Sequence, residues 1–381
     1  MISIKNKKDC CGCSACVQRC PRKCISMQTD KEGFSYPVVD TTKCSDCGLC
    51  EKVCPVINQL PEQQPIATYA AINSSNVVRE QSSSGGIFTL LAQETINNGG
   101  IVFGVVFNED WDVEHIYVDN ANDLKRLRGS KYVQSNICNS YAIAEKFLKE
   151  GKEVLFSGTP CQVAGLKKYL RKEYKNLKTV DFVCHGTPSP EVWKMYLDEI
   201  CRINNIGNIT DIQFRNKAEG WKKFSLQITY TGNDGQERIF RETLNDNIFM
   251  KCFLSNLCLR PSCYLCPARS GKSGSDITLG DLWGAEQICP EMDDDKGLSL
   301  VMMRKEQELP KSDRIEIPYN EALKYNPSIS TNVAMPHKRS KFFRLAHKSG
   351  VCKATQTCTT QSRFEVIWDK VVWNIKNRML K

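Results

Sequence analysis

Two runs of cysteine dominate the chemistry open to this chain. Cys10, Cys13, Cys16 and Cys20 follow the spacing C-x2-C-x2-C-x3-C and precede Pro21. Cys44, Cys47, Cys50 and Cys54 repeat it and precede Pro55. Three thiolates two residues apart wrap one face of a cubane 4Fe–4S cluster, and in paired runs the fourth cysteine reaches across to the other cluster. The spacing therefore assigns one cluster to Cys10, Cys13, Cys16 and Cys54, and a second to Cys44, Cys47, Cys50 and Cys20. The chemistry expected is the transfer of single electrons. Each following proline lacks an N–H and fixes φ, which turns the chain away from the cluster. Zinc fits poorly, because structural zinc sites close paired C-x2-C knuckles on one tetrahedral centre. A disulfide framework belongs to short secreted chains, whereas this chain opens MISIKNKKDCC with no apolar signal core.

The elements that position these residues are read from the rest of the chain. Its 381 residues suit two or three domains, and 41% hydrophobic content is enough for a buried core. No apolar run is long enough to span a bilayer. The 21 cysteines without a secretory signal predict metal ligation in a reducing cytoplasm. The formal charge of +9 counts every cysteine as neutral. A 4Fe–4S core with four thiolates carries roughly −2, so three such centres would leave about +3. Nucleic acid is not expected as a partner.

Residues 1–57 are expected to form a ferredoxin-like α+β module, with a strand, a polar turn at Gly33 and a second strand between the cysteine runs. Cys11 and Cys24 lie outside the ligand register and read as small buried hydrophobes. Residues 58–65 read as a linker. Residues 66–340 read as an α/β domain with a mixed, partly parallel sheet. Within it, residues 82–100 predict a Ser-capped helix ending at Gly99. Strands are expected at 101–107, 152–158 and 178–184, with a helix following the TPCQ turn. Ser189 and Pro190 read as N-cap and first residue of another helix. FSLQITY and QERIFRE flank GNDG as a hairpin. Residues 341–381 read as a basic helical tail. Its amphipathic end (364–381, with Trp368 and Trp373) suits docking on the body, or weak contact with an anionic membrane surface.

Four further cysteines stand in informative places. Cys161 and Cys184 follow predicted strands, and Cys263 and Cys266 form a C-x2-C pair. Ligands of open α/β sheets gather at the carboxyl ends of strands, so these four could converge on a third metal centre. The segments SSGGIFTLL, GSKYVQS, GTPCQVAG, VCHG, RPSCYLC and SDITLGDLWG occur in that order. Together they resemble the coenzyme F420 hydrogenase/dehydrogenase beta-subunit family over residues 66–284. The resemblance implies that Cys161, Cys184, Cys263 and Cys266 hold a third 4Fe–4S cluster beside a FAD. Cys138, Cys201, Cys252, Cys258, Cys289, Cys352 and Cys358 are left as structural, with Cys258 the nearest competitor to the C-x2-C pair.

Ser84, Gly85 and Gly86 at a helix start suit a pyrophosphate, and Gly129, Lys131 and Tyr132 add a cation and an aromatic. The resemblance implies that both segments line the flavin. Lys131 and His185 are the catalytic candidates, one as a charge beside the reduced ring and the other as a proton donor. Each also reads as an ordinary structural residue. The expected function is an iron–sulfur flavoprotein oxidoreductase that exchanges electrons between its clusters and an organic substrate or soluble carrier. Its partner would be an external donor or acceptor, either a ferredoxin-like protein or a dehydrogenase subunit. One alternative is an electron-transfer adapter subunit of a hydrogenase or dehydrogenase complex. Another is a redox enzyme of surface-polysaccharide biosynthesis, a setting the resemblance suggests.

Overall fold

The computed structural model describes residues 1–360. An eight-stranded sheet forms the centre of the body. In order across the sheet its strands are Asp313–Glu316, Ala67–Ile72, Ser299–Met303, Ile277–Asp281, Leu177–Phe182, Val154–Ser157, Ile101–Phe107 and Val113–Val118. The four from Ile277–Asp281 to Ile101–Phe107 run parallel, and the flanking pairs are antiparallel. The sheet is therefore mixed, with its parallel part buried at the centre. IVFGVVF and VLFS carry the uninterrupted apolar runs that a strand covered on both faces requires. Helices Ile87–Asn97, Ser140–Lys149 and Pro160–Leu170 cover the faces.

A second, three-stranded antiparallel sheet is built from Asn208–Asn216, Ser225–Thr231 and Glu237–Thr243. The last two strands are the expected hairpin. Its inner face packs against helix Pro190–Asn204 in a core holding Trp193, Tyr196, Phe214 and Phe249. Ser189 caps that helix, its Oγ accepting from Val192 N at 3.2 Å, and Pro190 follows as its first residue.

Three local readings change. The helix expected from residue 82 begins at Ile87, after Gly86 in the left-handed region, and no serine side chain caps it. Ser82 to Ser84 instead bond back to Val78 O, Ser130 and Leu298 O. The helix expected after TPCQ already includes Pro160, Cys161 and Gln162, because Thr159 and Gln162 form a capping box. Residues 341–360 are not a tail. They fall in helices Arg339–Ser349 and Val351–Thr359, which bury Phe342, Phe343, Ala346, Val351 and Ala354 in the same core as Trp193. The amphipathic segment 364–381 lies outside the described residues. Among those residues no helix is long and apolar enough to cross a membrane.

The N-terminal module carries an antiparallel hairpin, Ile25–Thr29 with Ser35–Val39. Its turn docks on the body. Arg339 makes a two-pronged bond to Glu32 at 2.8 and 2.7 Å. Ser189 Oγ donates to Glu32 O, and His347 Nε2 bonds Lys31 O at 2.7 Å. The segment 58–65 lies along the body: Gln63 N donates to Ser270 O and Arg304 Nε donates to Gln63 O.

Candidate metal centres

The two cysteine runs fold alike. Ser14 and Gly48, both in the left-handed region, open the short helices Ala15–Arg19 and Leu49–Lys52. In the second run backbone N–H groups point at sulfur: Cys44 Sγ accepts from Asp46 N at 3.4 Å, and Cys50 Sγ from Ile2 N at 3.2 Å. Cys20, Cys44, Cys47 and Cys50 line one cavity of about 330 Å³. Cys16 lies in the field of Cys10 and Cys54, and Cys13 in that of Cys16 and Cys54. The fourth cysteine of each run thus sits with the first three of the other.

Cys24 and Cys11 are buried in the apolar clusters, as expected, and each also lies beside other cysteines. Cys24 lines the cavity of the second set, its Sγ 3.4 Å from that of Cys20. Cys11 is buried, and Cys13 and Cys161 are the thiols that act on it most.

In the body, Cys161 sits in the first turn of helix Pro160–Leu170, directly past strand Val154–Ser157. Cys184 follows strand Leu177–Phe182, and the 3-10 turn Pro261–Leu265 carries Cys263 and leads to Cys266. The four thiols share one field: Cys184 feels Cys263, Cys161 and Cys266, and Cys266 feels Cys161 and Cys263. Cys263 Sγ accepts from Thr187 N at 3.3 Å, and Thr159 Oγ1 lies 3.2 Å from Cys161 Sγ. A cavity of about 340 Å³ opens beside Cys184 and Cys266. Cys258 is elsewhere, in the apolar core against Cys252.

The donor chemistry of these sets suits an iron–sulfur core. Burial pushes Cys16 and Cys266 up to about 12, and in each case neighbouring thiols add to the rise. Thiols packed this way resist ionising unless a cation joins them. Among the described residues no three His, Cys, Asp or Glu side chains close on a point as they would around one ion. A cubane holds its four thiolates farther apart than a single ion does.

The segments expected to line a flavin meet at the carboxyl end of the sheet, but not all of them present a ligand surface. Gly85 N donates to Ser299 Oγ, and a Cβ there would stand 2.4 Å from Ala71 O. Its bareness serves contact with the sheet. Ser84 Oγ donates to Leu298 O at 2.7 Å, and Gly86 is a helix-start turn beside Asn73. Gly129 faces open space. Lys131 Nζ donates to the carbonyls of Arg128, Arg126 and Gly129, and burial lowers its ammonium to about 8. Tyr132 stacks on Phe253 at 4.9 Å, and its hydroxyl accepts from Arg215 Nη1 at 3.1 Å. His185 Nε2 is occupied by Asn256 Oδ1 at 2.6 Å, and burial lowers its pKa.

Sequence reasoning missed Arg215. It is 8% exposed, paired with Asp281 at 2.7 Å and stacked over Phe224, and its Nε and Nη2 have no partner among the described residues. It also missed Arg260, whose place beside Cys10 no local spacing signals.

Comparison with known proteins matches residues 68–140 to the N-terminal model of the coenzyme F420 hydrogenase/dehydrogenase beta subunit. Residues 151–311 match its C-terminal model. Together the two cover more than half of the chain. This chain belongs to that family. Residues 9–58 match a 4Fe-4S dicluster domain, which makes it an iron–sulfur protein with an added N-terminal module. It is 25% identical over 185 residues to one of the subunits of the F420H2 dehydrogenase of Methanosarcina mazei, covering 45% of this chain and 51% of the relative. It is 25% identical over 186 residues to the coenzyme F420-dependent sulfite reductase of Methanocaldococcus jannaschii, covering 47% of this chain and 28% of the relative. The chain thus aligns with about half or less of the length of these relatives. A solved chain of the F420-reducing NiFe hydrogenase complex of Methanosarcina barkeri aligns with a TM-score of 0.43 at 15% identity, covering 78% of this chain and 91% of that one.

Proposed function

We propose that the chain is an iron–sulfur electron-transfer subunit that works with a partner oxidoreductase. The observation that carries this reading is the seat of Cys13 against helix Pro160–Leu170, where a Cβ on Gly165 would stand 3.0 Å from Cys13 Sγ, one turn along from Cys161, so that the N-terminal module and the body abut at their cysteine sets. A 4Fe–4S cluster, when bound, supplies reversible one-electron exchange. Cys10, Cys13, Cys16 and Cys54 would hold one, Cys20, Cys44, Cys47 and Cys50 a second, and Cys161, Cys184, Cys263 and Cys266 a third. The protein's own contribution is to bury Cys13, Cys16 and Cys54 of the first set, to supply N–H donors to sulfur, and to keep the module docked through Glu32 and Arg339. Cys47 is exposed, so the second set is the natural point of contact with a donor or acceptor.

The reading is tested with anaerobically reconstituted protein and a low-potential ferredoxin donor, following reduction of a dye added as terminal acceptor. Cys161→Ser should cut the dye rate at least tenfold while dithionite still bleaches the N-terminal module. A Cys161→Ser protein that keeps the full rate would contradict it.

A second reading adds a FAD at the carboxyl end of the sheet. The unpartnered Nε and Nη2 of Arg215 favour an anionic group there, near Tyr132 and Lys217. Bound flavin would supply two-electron exchange, and Arg215 would hold negative charge on it. Arg215→Met should lower the flavin retained per chain with no change in iron. Equal flavin in both proteins would count against this second reading.

A further inference from the structure

Arg260 is 1% exposed, and among the described residues no carboxylate lies against it. Its Nε donates to Cys10 O at 2.8 Å, Nη1 to Gln134 Oε1 at 3.0 Å, and Nη2 to Ser35 O at 2.9 Å. Nη2 also lies 3.6 Å from Cys10 Sγ. The guanidinium covers the rings of Tyr36 and Phe34. Gln134 Nε2 in turn donates to Cys11 O at 3.3 Å. The loop between Cys10 and Cys13 accepts this side chain only because residue 12 is glycine: a Cβ there would stand 2.8 Å from Arg260 Nη1, and its φ is +72°. On its other side Arg260 opens the turn that carries Cys263: Cys263 N donates to Arg260 O at 2.9 Å, and Arg260 N donates at 3.0 Å to the carbonyl of Thr187, whose own N–H bonds Cys263 Sγ.

A buried arginine without a carboxylate is costly unless some other negative charge answers it. Here the groups able to do so are cysteines of two different sets. A fixed positive charge favours the more negative, reduced state of a nearby cluster and so raises its potential. We propose that Arg260 is a shared tuning residue, holding up the potentials of the cluster at Cys10 and the cluster at Cys161 together, and leaving the cluster at Cys20 to its own surroundings. The proposal rests on the reading of three clusters given above. It gives Arg260 a positioning and electrostatic role and no part in bond making. Arg269 is placed differently: its Nη2 donates to Cys184 O at 2.9 Å.

The test is an EPR-monitored redox titration of the anaerobically reconstituted full chain, with iron and sulfide counted in each sample. Wild type must first carry about twelve iron atoms, three cubanes; a count of about eight sinks the three-cluster reading itself. With the count intact, Arg260→Gln should move two midpoints to more negative potential and leave the third in place. Arg260→Lys, which keeps the charge, should recover most of that shift. Three unchanged midpoints, or three moved alike, would overturn the proposal. If Arg260→Gln does not load, Arg260→Met, which keeps the bulk and removes the charge, takes its place: the same two midpoints should fall, and three unchanged midpoints in it refute the proposal.

Discussion

His115 shows how a single side chain near the centres shapes behaviour without joining the chemistry. It is buried, Nε2 bonds Ser157 O at 3.2 Å, and Nδ1 faces Ser135 Oγ at 3.1 Å. Burial lowers its pKa to about 4. Between the ordinary histidine value and that point, the unfolded chain binds a proton that the native ring refuses. Stability is therefore full above pH 6.5 and falls as the pH drops toward 4, with a limiting slope of about 1.4 kcal/mol per pH unit. Melting temperatures from pH 7 to 5 should fall less steeply in His115→Gln than in wild type, and parallel curves would refute the assignment. The cysteine runs were legible at this scale because cubane ligation is a local spacing rule. Arg260 and Arg215 were not, since each acts on residues far away in sequence. Cys11 and Cys24 are the small buried residues their place outside the ligand register suggested, but nothing in their spacing shows that the fold also brings them beside other thiols.

Among the elements, the hairpin turn that docks the N-terminal module is the most sensitive joint. Gly33 has φ +79°, and a Cβ there would stand 2.2 Å from Glu191 Cβ and 2.6 Å from Ser189 Oγ. Gly33→Ala should cost about 1–3 kcal/mol, the range for a strained left-handed residue, with the clash adding to it. Hydrogen exchange in helix Pro190–Asn204 should rise, while the iron held by the two runs is retained. Unchanged exchange would mean that the joint does not depend on this turn. The hairpin itself, the Ser189-Pro190 helix start and strand Ile101–Phe107 were legible because each is written in a few adjacent residues. The start at Ile87 was not, because Ser82, Ser83 and Ser84 spend their hydroxyls on tertiary partners instead of on the cap. Helices Arg339–Ser349 and Val351–Thr359 were assigned to a tail because their charged outer faces mask a buried stripe that only the fold reveals.

At the scale of the whole molecule, the family's body and the added module meet where Cys13 packs against Gly165 of the helix that carries Cys161. A mixed sheet was foreseeable from the alternation of strands and helices, and the placement of Cys161 and Cys184 at strand ends followed from it. The convergence of the C-x2-C pair on those two was suggested by the strand-end places of Cys161 and Cys184, and resemblance made it a cluster, since Cys263 is distant in sequence from both. The central claim is that this chain carries three cubanes. Iron and acid-labile sulfide per chain, measured on anaerobically reconstituted wild type and Cys263→Ser, test it most directly. Three cubanes require about twelve of each in wild type and about eight in the variant; about eight in both would contradict the claim.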